Sequence, residues 1–157
     1  MAFNSSNLAR FIQEQGIQAE ILHLPAETPT VAAAAAVMGV EPDQIIKSVL
    51  FLADGAPVLV VNNGLARVAW KRLADYLGVS RRRLKTAVAD QVLDITGYPV
   101  GAVPPFGHKT ALRTVVDTAV YQHPIVYGGG GEIHALMRLS TAELRRVVGD
   151  EIAPLSE

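Results

Sequence analysis

The segment IIKSVLFLADGAPVLVVN, residues 45–62, decides the fold class. Two apolar runs, 45–53 and 57–62, flank Asp54 and Gly55, a dipeptide suited to the positive φ angles of a tight hairpin turn. The sheet is therefore expected to be built on an antiparallel pair. Side chains alternate along a strand, so Ile45, Lys47, Val49 and Phe51 share one face. Lys47 then points the same way as apolar neighbours, toward a covered surface or a cleft. There its stem can lie on apolar wall while its ammonium meets a phosphate or carboxylate. The competing reading is an edge lysine that discourages strand-to-strand aggregation. Ser48 faces the other side.

Upstream, Asn4, Ser5 and Ser6 offer caps for a helix carrying Leu8, Phe11 and Ile12 and closed near Gly16. A short strand over 17–24 follows, then a break from Pro25 to Pro29, then an alanine-rich helix over 31–38 capped by Thr30 and ended by Gly39. Downstream, Asn62, Asn63 and Gly64 turn the chain into a half-buried helix over 68–77 closed by Gly78. A short helix is expected over 90–96, with strands near 112–117, 124–127 and 133–139. Ser140 and Glu143 match a capping box opening a last helix with Leu144, Val147 and Val148. The pattern predicts an α+β fold: one domain over 1–157, with a mainly antiparallel or mixed, curved β-sheet surrounded by helices.

Half of the 157 residues are hydrophobic and 18% are charged, enough apolar mass for a substantial core and unlike a disordered chain. The formal charge of -1 argues against a protein that wraps a long nucleic acid, so any such contact must be local. The candidate is Arg81, Arg82, Arg83 and Lys85, with Lys71 and Arg72 before them; a solvated helix end explains the same cluster. With no cysteine, disulfides and thiol chemistry are excluded. No signal segment or bilayer-length apolar run is evident, and a cytoplasmic protein with no membrane partner is expected.

A second stretch, GYPVGAVPPFGH at 97–108, has almost no side chain able to do acid-base work. Pro104 and Pro105 lack N–H groups, which leaves the amides of Gly101, Ala102 and Val103 as donors, the kind of row that stabilises an oxyanion at a carbonyl. A bend that merely closes the domain is the alternative. Gly128 to Gly131 is neither a Walker loop nor a dinucleotide loop; it reads as a close backbone approach to a ligand or as a flexible connection. His23, His108, His123 and His134 show no metal-ligand spacing, so no metal and no cofactor are expected. His108 follows the Pro-Pro loop closely enough to reach a substrate. A nucleophile elbow and a glycosidase acid pair are both lacking.

Taken together, residues 46–51 and 97–107 resemble the YbaK-type aminoacyl-tRNA deacylases, relatives of the editing domain inserted in bacterial prolyl-tRNA synthetases. The likeness runs from about Thr28 through the last helix. It implies hydrolysis of the ester between a wrongly attached amino acid and the terminal adenosine of a tRNA. Lys47 would contact the terminal nucleotide, and the loop from Gly101 through Ala102 and Val103 to Pro105 would place amides on the ester carbonyl. Water would be activated with help from the adenosine's own vicinal hydroxyl. Thr30, Ser48, Gly129, Gly130 and His108 complete the candidate substrate-contacting set, and Arg81, Arg82 and Arg83 the candidate tRNA contacts. The implied partners are the acceptor end of an aminoacyl-tRNA and, further out, an aminoacyl-tRNA synthetase. Two departures from the family stand out. Residues 133–137 lack an acid that members often carry, and Ser48 occupies a position that varies with amino-acid preference. A pocket of Ala, Val, Pro and Met favours a small or moderately apolar group. A non-catalytic module that binds a nucleotide or tRNA end is the rival reading.

Overall fold

The chain enters through a capped helix. In this computed structural model, which describes residues 2–25 and 30–157, the Asn4 side chain accepts from the Ser6 amide and opens α1 (Ser5–Glu14), whose Leu8 is fully buried. Next comes β1 (Ala19–His23). Beyond Pro25, the predicted break lies outside the described residues. Thr30 Oγ accepts from the Ala33 amide at 3.0 Å to start α2 (Val31–Met38), which ends at Gly39 in the left-handed conformation. The predicted hairpin follows as β2 (Ile46–Ala53) and β3 (Ala56–Asn63), with Asp54 and Gly55 both at positive φ in the turn. The remaining elements are α3 (Trp70–Leu77), β4 (Leu84–Thr86), α4 (Ala89–Thr96), β5 (Arg113–Asp117), β6 (Ile125–Gly129), β7 (Ala135–Ser140), α5 (Thr141–Val148) and β8 (Ile152–Ala153).

The strands form a five-stranded sheet in the order β4-β2-β3-β5-β8 and a three-stranded sheet β1-β7-β6. β3–β5 and β5–β8 are parallel and the other pairs antiparallel, so the sheet is mixed, as its pattern implied. The two sheets meet where Ile45 bridges Tyr127 in parallel. β2 and β3 are covered on both faces. Ile46, Leu50, Leu59 and Val61 pack with Leu8, Val126, Met137 and Leu144, while Phe51, Val58 and Val60 pack with Leu73, Leu84, Val115 and Leu155. That two-sided burial is why 57–62 reads as a continuous apolar run rather than an alternating one.

The C-terminal segment is fastened by a buried carboxylate. Asp117 accepts from the Leu155 amide (2.7 Å), the Ser156 amide (3.2 Å) and the Ser156 hydroxyl (2.9 Å). Three donors satisfy an acid that is only 2% exposed and forms no ion pair among the described residues. The strap so held pairs Ser156 with Val68 and brings Glu157 to the face of β2 that carries Lys47.

Candidate active site

Residues 99–102 form a turn in which the Ala102 amide donates to the Pro99 carbonyl at 3.0 Å, with Gly101 at φ 89° in its third position. That angle marks a type II turn and explains the glycine. It also corrects one expectation: the Ala102 amide is consumed by the turn and is not a free donor. The amides of Gly101 and Val103 donate to no group among the described residues, and they remain as the loop's main-chain donors. Residues 102–106 are buried.

The glycine run from 128 explains how the loop is held. A Cβ on Gly128 would stand 3.4 Å from both Ile46 Cγ1 and Pro105 Cδ, and one on Gly129 would collide with the Val103 carbonyl oxygen. Gly130 is pressed against the Ala135 backbone, a Cβ there falling 2.5 Å from the Ala135 carbonyl carbon, and the Gly131 amide donates to the Ala102 carbonyl at 3.0 Å. The absence of a side chain at Gly129 and Gly130 thus accommodates this chain's own backbone, and Gly128 and Gly129 are part of β6. The loop fills the gap left where β2 and β6 part after the Ile45–Tyr127 bridge.

His108 locks the same loop from its other end. Its Nε2 lies 2.7 Å from the Pro104 carbonyl oxygen, which can only accept, so this nitrogen carries the proton and donates. The ring also meets Tyr98 edge-on at 6.5 Å. His108 therefore holds the loop through its Nε2, a role that sequence alone does not disclose. Burial pushes the His108 pKa below the ordinary 6.5, against a smaller opposing effect of the Pro104 carbonyl. Because the folded value is the lower one, the contribution of His108 to stability is complete above pH 6.5 and is lost as pH falls through the depressed native value. The melting temperature is expected to fall more between pH 7 and pH 5 in the wild type than in His108→Gln, which keeps a donor but binds no proton; parallel pH-dependent melting curves for the two proteins test this.

Lys47 lines a cleft of about 330 Å³ together with Val49, Phe51, Arg67, Val68, Trp70, Thr86 and Glu157. The shared face of Lys47, Val49 and Phe51 is as the alternation predicted. Burial, and after it the nearby Arg67 charge, lower the Lys47 pKa from its ordinary value. Loop residues 101–105 do not line this cleft; they reach β2 at Ile46. On the side of β2 that carries Ile46, the Ser48 hydroxyl is buried with no partner among the described residues, as is Oδ1 of Asn63, the cross-strand neighbour of Ile46. Thr30 serves α2 as its cap.

Two of the three predicted tRNA-contacting arginines are engaged within the molecule. The Arg81 guanidinium lies 4.0 Å over the Trp70 ring, and Arg83 pairs with Asp54 at 2.8 Å. Arg82 makes no such contact among the described residues and lines a second cleft, of about 360 Å³, with Leu52, Asp54, Gly55, Arg83 and Lys85. Sequence reasoning passed over Arg67, Trp70, Thr86 and Glu157. Trp70 did leave a signal: it is the one tryptophan of the chain and sits among Arg67, Lys71 and Arg72. Among the described residues, no group of three or more His, Asp or Glu could hold a metal ion, and no helix is long and apolar enough to cross a membrane.

The family model of the aminoacyl-tRNA editing domain matches residues 25–147. The chain belongs to this family. A solved structure described as a proposed trans-editing enzyme for prolyl tRNA synthetase is similar to this editing domain with a TM-score of 0.91 and 30% identity, over 98% of this chain and 96% of that one. A proline–tRNA ligase of Nitratidesulfovibrio vulgaris is 36% identical over 98 residues, which make up 59% of this chain and 17% of the ligase. The chain thus spans about a sixth of the length of that ligase. The uncharacterized protein YwhH of Bacillus subtilis is 28% identical over 126 residues, 80% of this chain and 78% of that protein.

Proposed function

We propose that this editing domain is a trans-editing deacylase that hydrolyses the ester of a mischarged aminoacyl-tRNA carrying a small or moderately apolar amino acid. One observation carries the reading: in a chain of this family, a proline-stiffened loop whose amides at Gly101 and Val103 have no partner among the described residues is seated on the glycines of β6, the strand that β2, bearing Lys47, meets at the Ile45–Tyr127 bridge. The ester carbonyl would accept from those amides, which need no reorganisation as its oxygen gains charge. Lys47 would hold the terminal nucleotide, and the vicinal hydroxyl of the terminal adenosine would assist the attacking water, so no side-chain base is required. Release of labelled amino acid from a panel of mischarged tRNAs at low protein concentration tests the proposal. Hydrolysis of at least one supports it, whereas protection of the ester throughout the panel would favour a non-catalytic binding module.

Arg82 and Lys85, on the second cleft, are the cations best placed to meet tRNA phosphates outside the acceptor end. The charge reversals Arg82→Glu and Lys85→Glu are expected to weaken tRNA binding and to lower the slope of log affinity against log salt by about one for each phosphate no longer neutralised. An unchanged slope in affinity titrations at several salt concentrations would remove these residues from the interface.

A further inference from the structure

Two cations, Lys47 and Arg67, and an aromatic ring converge on one cleft, whose lining includes a single acid, Glu157. Neither Lys47 nor Arg67 forms an ion pair among the described residues, although Glu157 lines the same cleft. Like charges facing a shared space are unfavourable until an anion enters it. The floor is apolar, from Val49, Phe51 and Val68, and Trp70 stands in the wall. The indole is fixed: Phe51 meets it edge-on at 5.2 Å, and the Arg81 guanidinium lies 4.0 Å over its ring. Arg81 is not part of the cleft lining, so the indole keeps a surface toward the cleft. An anion site beside a rigid aromatic surface on an apolar floor has the chemistry of a nucleotide seat, in which the base packs on the ring and the phosphate meets the cations.

We infer that Trp70 and Arg67 join Lys47 in seating a nucleotide of a single-stranded RNA end, the base packed on the indole and its phosphate held between the two cations. The identity of that RNA as the acceptor end of tRNA rests on the deacylase reading above. The seat also gives Glu157 a role as a hydrogen-bond acceptor at the wall, held there by the Asp117 clamp on the C-terminal strap.

Because the chain has a single tryptophan, its intrinsic fluorescence reports on this seat directly. Titration with the trinucleotide CCA is expected to change the emission saturably, and inorganic phosphate at equal ionic strength is expected to leave it unchanged. Arg67→Ala, at an exposed position, should weaken CCA binding about tenfold without altering the fold. On a mischarged tRNA, Trp70→Leu should raise KM about tenfold with kcat changed far less, and Trp70→Phe should restore most of the loss. Since Trp70 also packs on Phe51, a melting curve accompanies each variant, and the Arg67 result stands independently of it. No emission change with CCA, or wild-type KM in folded Trp70→Leu, would overturn the inference even with deacylation intact. A CCA response in a protein that hydrolyses no mischarged tRNA would instead leave the seat standing and overturn the deacylase reading.

Discussion

Replacing Lys47 with alanine is expected to lower kcat/KM for deacylation by about 10²–10³-fold while leaving the melting temperature unchanged or slightly raised. Both halves follow from its surroundings. The ammonium sits in a partly desolvated cleft where burial and Arg67 already disfavour its charge, so the folded protein carries the cation at some cost to itself. Removing it relieves that cost. A phosphate or ribose bound there, however, would lose a charge-assisted partner in a place where water replaces it poorly. Lys47→Met, which keeps the apolar stem on the wall beside Val49, should match the alanine variant in activity and exceed it in stability. Lys47→Arg should recover only part of the activity, because a planar guanidinium cannot occupy the position of a compact ammonium. Single-turnover release of labelled amino acid, run beside thermal melts, measures both quantities. Full activity in folded Lys47→Ala would end the assignment of this residue as the nucleotide anchor.

Much of the frame was legible because its signals are local. The Asp54-Gly55 turn, the Thr30 and Ser140 caps and the left-handed Gly39 and Gly78 each act over a few residues, and all appear where the pattern placed them. Lys47 was legible for a similar reason, since alternation within a strand needs no knowledge of what lies opposite. β4 and β8 escaped notice because such short strands exist only through pairing with β2 and β5, a tertiary fact. The same holds for Val68, assigned to a helix by its apolar spacing but paired instead with Ser156. In the site, the loop's composition pointed to main-chain donors, but composition cannot tell which amides the fold itself consumes. The Ala102 amide goes to Pro99, and the histidine placed near the substrate spends its proton on Pro104. The glycine run was ambiguous for a related reason: from sequence, a glycine made necessary by a ligand looks the same as one made necessary by another stretch of the chain.

That distinction gives Gly129→Ala the largest expected effect away from Lys47. The new methyl would fall against the Val103 carbonyl, 2.7 Å from its carbon and 3.1 Å from the Ala102 oxygen, all backbone atoms. No side chain can rotate away to make room. The carbonyls on either side are already committed, Ala102 to the Gly131 amide and Pro104 to His108, so the loop must shift as a unit. Overpacking of this kind is expected to cost about 3 kcal/mol of stability. A displacement of even a fraction of an ångström would also withdraw the Gly101 and Val103 amides from the ester oxygen, and deacylation should fall by about 10²-fold or more. Gly55→Ala is the matched control. Gly55 has φ 84° in the distant hairpin turn with nothing within 4 Å of a Cβ, so the substitution is expected to cost about 1–2 kcal/mol in backbone strain and leave kcat/KM unchanged. The comparison requires kinetics well below each variant's melting temperature, so that both proteins are folded when assayed. If Gly129→Ala were destabilised to the expected degree yet hydrolysed mischarged tRNA at the wild-type rate, the loop would be a structural brace and the oxyanion donors would have to be sought elsewhere along the β2 edge.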